Sequence, residues 1–164
     1  MNAEHFAGVF QGLPPELVTF IVGMTPIFEL RGAIPLAITF FKLSTVSSFL
    51  WAVAGNISVM LVLAFLLKWG VKFITKYFSW GEKFFNWLFE RTRKRAHKHI
   101  EKYGDWGLFF LVAIPLPMTG GWTGVLAAFL FDIDKKKSLP IISAGIMTAG
   151  VIVTLLTLGA VKAL

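Results

Sequence analysis

The stretch TPIFELRGAIP, residues 25–35, sets Pro26, Glu29, Arg31, Gly32 and Pro35 inside an apolar run that reaches from 13 to 41. A membrane-spanning helix needs about 20 consecutive apolar residues for a hydrocarbon core of roughly 30 Å. This run is too long and too broken to be one such helix, and the 16 residues from Pro26 to Phe41 are too few for a second. The pattern predicts a re-entrant hairpin over about 13–41, two short helices meeting at a turn within the membrane. Backbone at such a turn survives only where protein or water covers its polar groups.

The same pattern recurs downstream. An apolar run over about 106–131 is broken by Pro115, Pro117 and the pair Gly120-Gly121, which predicts a second hairpin. Each broken run precedes an unbroken one, SSFLWAVAGNISVMLVLAFLLKW over 47–69 and LPIISAGIMTAGVIVTLLTL over 139–158, and both read as transmembrane helices. A gapless shift of 89 positions lays Pro26 on Pro115 and Gly32 on Gly121. It also lays Phe40 on Phe129, Leu50 on Leu139, Val62 on Val151, Leu66 on Leu155 and Gly70 on Gly159. The helix-breaking pairs carry this comparison, because apolar residues match by chance. The chain thus reads as a first repeat, 1–70, a basic linker, 71–103, and a second repeat, 104–164.

The expected fold class is all-α and membrane-embedded, an inverted repeat of hairpin plus transmembrane helix. Inversion follows from connectivity, since a hairpin returns to its own side and the spanning helix then delivers the linker to the other. Ten of the sixteen basic residues lie between Lys68 and Lys102, and Lys135, Lys136 and Lys137 join them on the same side in this topology. Only Lys42 and Lys162 lie opposite. Basic loops mark the cytoplasm, so both termini are expected outside. Phe73, Tyr77, Trp80, Phe84 and Trp87, with Lys72, Lys76 and Lys83 between them, read as one amphipathic helix in the interface, facing anionic head groups.

Composition removes several function classes. The chain is 56% hydrophobic and 15% charged, against roughly a quarter charged in a soluble domain. Cysteine is absent, so no disulfide, thiolate nucleophile or cysteine metal site is available. His97 and His99 lie in basic sequence with no ligand set at metal spacing, and no metal or cofactor is expected. The opening MNAEHFAGVFQGLPPE lacks a basic n-region and a cleavage site, so no removable signal peptide is expected. There is no nucleophile with a base and no nucleotide loop, which argues against an enzyme. The basic tract has no recognition fold for nucleic acid.

Glu29 and Arg31 are the leading candidates for function, since ionised groups at membrane depth are costly unless paired or hydrated. Residues two apart do not share a helix face, so a direct pair requires non-helical backbone. In the second hairpin, Thr119 and Thr123 offer hydroxyls, Gly120, Gly121 and Gly124 allow close approach, and Trp122 lines a pocket or packs. The Gly120 to Gly124 spacing also suits tight helix contact. Asn56 reads as interhelical glue, and Asp132 and Asp134 as caps of the lysine-rich loop. Ala52, Gly55, Ala144 and Gly145 read as small residues for packing between copies, because so few elements cover two mid-membrane turns only in a homodimer or larger assembly.

The segments FELRGAIPLAI and AIPLPMTGGWTGVLAAFLF, with the basic linker between them, resemble the prokaryotic small multidrug export protein family over nearly the whole chain. That family in turn resembles the DedA/VTT group of membrane proteins, whose paired re-entrant helices are associated with transbilayer movement of lipids, including polyprenyl phosphates. By position, Glu29, Arg31, Gly32 and Pro35 match the first family motif. Pro115, Pro117, Thr119, Gly120, Trp122, Thr123 and Gly124 match the second, with Met118 where the family usually has glycine. The resemblance implies a secondary transporter in the cytoplasmic membrane of a prokaryote, moving a small amphiphile or a lipid phosphate. Two alternatives stand beside it: proton-coupled export of lipophilic cations, and a structural or regulatory membrane protein that does not transport.

Overall fold

The two unbroken apolar runs become the two longest helices, and everything else is arranged around the breaks. The computed structural model describes residues 12–115 and 119–163, and among these every regular element is helical. In order they are α1 (Pro15–Met24), α2 (Glu29–Pro35), a π turn (Leu36–Phe40), α3 (Thr45–Tyr77) and α4 (Ser79–Tyr103). A 3-10 turn (Gly104–Trp106), α5 (Gly107–Ala113), α6 (Gly121–Leu130) and α7 (Lys135–Ala163) follow. The chain forms two compact units, Met1–Asn56 with Gly150–Leu164, and Ile57–Ala149.

α3 and α7 have 33 and 29 residues, and at 1.5 Å per residue either exceeds the roughly 30 Å hydrocarbon core. Only 28% and 44% of their most apolar windows are buried within the protein, far less than in the core helix of a soluble domain. The remaining apolar surface suits lipid, as in a membrane protein. Both helices outrun their expected limits of 47–69 and 139–158. Trp69, Phe73 and Tyr77, one turn apart, stack at 5.3 and 4.8 Å and carry α3 past the apolar run. The break comes at Phe78, whose backbone is extended (φ −126°, ψ 116°). The single amphipathic helix expected from Phe73 to Trp87 is therefore two: Phe73 and Tyr77 end α3, whereas Trp80, Phe84 and Trp87 begin α4. The aromatic period continues across the joint, so periodicity alone does not reveal it.

In the first unit, α1 and α2 pack on each other across residues 25–28. α1 also lies against α3 so closely that a β-carbon at Gly23 would sit 2.7 Å from the Ala52 carbonyl oxygen, and one at Gly55 would collide with the Phe20 carbonyl. In the second unit, α5 packs on α6. A β-carbon at Gly145 of α7 would meet Val112 at 2.9 Å and the Phe109 carbonyl at 3.2 Å. α4 lies on this second pair through buried Phe85, Thr92 and Ala96, with the Phe89 and Phe129 rings 5.9 Å apart.

The halves repeat the order helix, break, helix, long helix, with one adjustment to the gapless comparison. The first arms end at Met24 and Ala113, 89 positions apart. Phe20 meets Gly55 as Phe109 meets Gly145, so the long helices are related by 90. Left-handed Lys42 (φ 55°) and Asp132 (φ 52°), and fully buried Ser48 and Ser138, fit the same offset. The pairs Leu50/Leu139, Val62/Val151, Leu66/Leu155 and Gly70/Gly159 are thus one residue out of register. Ala52, Gly55 and Gly145 are buried inside the chain against its own short helices, which corrects their assignment to packing between copies; Ala144 alone of the four is exposed.

Gly55→Leu and Gly145→Leu should each lower stability by about 2–3 kcal/mol or prevent folding, because the side chain would intrude on the Phe20 backbone in one case and on Val112 Cβ and the Phe109 carbonyl in the other. Gly70 and Gly159 have open space around them, so Gly70→Ala and Gly159→Ala should instead raise stability by about 0.5–1 kcal/mol through helix propensity. Thermal unfolding of the four variants in one detergent checks the contrast.

Candidate functional site

The first break is built by its own sequence. Thr25 closes α1 by donating its hydroxyl to the Val22 carbonyl at 2.7 Å, and its oxygen accepts the Phe28 N–H at 3.4 Å. The Glu29 N–H then donates to the Thr25 carbonyl at 3.1 Å, and Glu29 opens α2 with φ 44°. A non-glycine residue in this left-handed region costs about 1–2 kcal/mol. That backbone departure allows residues 29 and 31 to face each other: Arg31 Nη2 lies 4.0 Å from Glu29 Oε2. The Glu29 side chain is 9% exposed and that of Arg31 26%. The guanidinium is therefore the more accessible half of the pair.

Gly32 and Pro35 shape the same turn. A β-carbon at Gly32 would fall 2.7 Å from Phe28 Cβ, while its N–H donates to the Phe28 carbonyl at 2.9 Å. Pro35 has no N–H to give the Arg31 carbonyl, and a proline within a helix loosens it. The chain passes into the π turn, with the Phe41 N–H donating to the Leu36 carbonyl at 3.2 Å and the Thr39 hydroxyl to the Pro35 carbonyl at 2.7 Å. Such π turns are frequent at functional sites. All four residues singled out here, Glu29, Arg31, Gly32 and Pro35, therefore gather within two turns.

The second break has the same frame and different chemistry. Half-buried Pro115 follows α5, Pro117 lies outside the described residues, and buried Thr119 donates its hydroxyl to the Ile114 carbonyl at 2.9 Å. Gly120 (φ 142°) caps α6, and its carbonyl accepts the Gly124 N–H at 2.8 Å. Gly121 and Gly124 are buried, Trp122 and Thr123 half-buried. Gly124 serves close packing, since a β-carbon there would meet Val112 at 2.7 Å and Ile142 at 3.3 Å. Gly120 and Glu29 both enter a second arm with positive φ. Where backbone geometry favours glycine, the first half keeps a glutamate.

Two further features bear on function. α4 presents one stripe away from its buried face: exposed Trp80, Phe84 and Trp87, then Arg91, Lys94 and Lys98. The Arg91 guanidinium sits 5.3 Å over the Trp87 ring. His97 pairs with Glu101 at 2.9 Å, and a His99 ring nitrogen lies 3.3 Å from the Arg95 carbonyl. Asn56 is the residue that sequence reading undervalued. It is 1% exposed, and neither its Nδ2 nor its Oδ1 has a hydrogen-bond partner among the described residues.

These features define a helical membrane protein with an ion pair held at a helix break. A family model described as "Putative small multi-drug export protein" matches residues 29–152, from the start of α2 through the second break and into α7, and the chain belongs to that family. No curated protein and no solved structure matches the chain.

Glu29→Gly and Glu29→Ala both delete the carboxylate, but only alanine keeps the left-handed strain. The glycine variant should be the more stable by about 1 kcal/mol in thermal unfolding. Equal stability would show that residue 29 is not held in that conformation.

Proposed function

We propose that the chain is a secondary transporter that exports a small amphiphile, with the Glu29–Arg31 pair meeting the cargo's polar head. The observation that carries this is the ion pair of buried Glu29 and half-buried Arg31 on strained backbone at a helix break, in a chain of an export family. Strain and charge retained together at one turn are characteristic of functional sites. The greater exposure of Arg31 favours an anionic head, a lipid phosphate such as a polyprenyl phosphate among them, because a guanidinium offers a planar fork of donors to phosphate oxygens.

The membrane arrangement we propose is the inverted re-entrant repeat. α1 and α6 have 10 residues and α5 has 7, so none exceeds about 15 Å, half the hydrocarbon core. Apolar residues at the breaks are exposed, Ile27 at 85% and Ile114 at 43%, which suits lipid rather than water. Inversion is supported by Lys135 over the Phe65 ring at 4.8 Å and by Lys137 near Asp105 at 3.9 Å, which keep the start of α7 beside the segments that flank the linker. With the basic linker in the cytoplasm of a prokaryote, the aromatic and basic stripe of α4 rests on anionic lipid. A homodimer completes the cover over the two breaks.

A second reading is favoured by the near-complete burial of the Glu29 carboxylate. In it the cargo is a lipophilic cation exchanged for protons at Glu29. Flux in proteoliposomes separates the two. With a lipid phosphate as cargo, Arg31→Lys should lose at least tenfold in flux and Glu29→Gln should be milder. With tetraphenylphosphonium and a proton gradient, Glu29→Gln should abolish coupling and Glu29→Asp retain part of it. Wild-type flux from both Arg31→Ala and Glu29→Gln defeats either form. The topology is checked with single cysteines at Lys94 and Lys136, which should resist impermeant thiol reagents in intact cells; labelling from outside contradicts it.

A further inference from the structure

We infer that Asn56 lines a hydrated polar pocket within the first unit that takes a hydroxylic ligand, either water or the hydroxyl of an amphiphile. Asn56 lies 11 residues after Thr45 and 12 before Lys68, about 17 Å of helix from either end of the apolar part of α3. That is the middle of a membrane span. Its side chain is enclosed by its own chain at 1% exposure, so a second copy cannot reach it. Both donor protons and the acceptor oxygen are nonetheless unmatched. A buried carboxamide is retained against leucine, which would pack at no polar cost, where a partner arrives from solution.

The surroundings define that partner. Asn56 shares its buried stripe with Ser48 and Ala52, at four-residue spacing. Ala52 and Gly55 abut Gly23 and Phe20 of α1, so Thr19, next to Phe20, and Asn56, next to Gly55, flank one contact. Thr19 and Ser48 are fully buried, and each spends its only proton on a backbone carbonyl, Pro15 at 2.8 Å and Ser44 at 2.9 Å. Their oxygens keep lone pairs for a donor. Ser48 lies two turns, about 12 Å, along α3 from Asn56, so the acceptors at the level of Asn56 are its own Oδ1 and the Thr19 hydroxyl oxygen, beside one NH2 group. A phosphate would meet acceptors as well as donors, and a lipophilic cation would find no carboxylate among these groups. A group that both donates and accepts fits. Water with room and two to four polar partners is the simplest such group, and an alcohol hydroxyl is the other.

The native chain has no cysteine, so Asn56→Cys is a direct probe. In proteoliposomes, a small methanethiosulfonate should label it at least tenfold faster than Ala54→Cys, which lies at similar depth on an exposed face. Lipid-facing thiols stay un-ionised and inert, whereas a hydrated one reacts. Slowing of the reaction by octanol assigns the pocket to an amphiphile's hydroxyl, and no slowing assigns it to water. Equally slow labelling at both positions overturns the inference. In the unsubstituted protein, the Asn56 side-chain NH2 should show magnetisation exchange with water by NMR, and its absence likewise overturns it. Neither readout requires transport, so this inference and the exporter reading fail independently.

Discussion

Hydrocarbon offers no hydrogen bonds, so a helix that breaks at membrane depth must find cover and partners for its freed backbone within the protein. In the re-entrant arrangement we propose, both halves would meet this demand in the same way. A side-chain hydroxyl ties the break to the carbonyl of a helix end or its flank, Thr25 to Val22 and Thr119 to Ile114. A glycine on the long helix then lets the first arm approach to backbone contact, Gly55 at Phe20 and Gly145 at Phe109. The price of that closeness is intolerance of any side chain at those two positions. Dispersion and exclusion of lipid, rather than a hydrophobic drive, hold such contacts together.

Within this shared frame the two breaks have diverged in chemistry. The second is closed by glycines and threonines, with a glycine at the position of positive φ. The first has Glu29 at its own position of positive φ, strained and buried, with Arg31 at 4.0 Å. A purely structural turn gains nothing from that choice, since glycine would remove the strain and the buried charge together. The asymmetry puts an ion pair at the first break. Asn56, in the same unit, adds a neutral polar group at mid-helix depth.

Much of this was legible in the sequence because it rests on local composition. Proline and glycine in apolar runs mark both breaks, unbroken runs mark α3 and α7, and a glutamate two residues from an arginine marks the candidate site. What escaped depends on contacts through space. The one-residue adjustment between halves appears only in the Gly55 and Gly145 contacts, since apolar helices slide past each other without a sequence signal. Phe78 interrupts an aromatic period that itself continues. The left-handed backbone at Glu29 has no signature in residue type, because glutamate rarely adopts it. Asn56 looked like glue between helices, and only its unmatched amide shows that the described residues give it nothing to hold.

The account depends on the breaks lying inside the bilayer, and a depth measurement tests this most directly. A spin label on Ile27→Cys, at the exposed apolar tip of the first break, should lie within about 10 Å of the bilayer centre, well inside a hydrocarbon core of roughly 30 Å. Its relaxation should respond to oxygen dissolved in lipid far more than to a water-soluble nickel chelate. A label at head-group depth, relaxed chiefly by the chelate, would contradict the account.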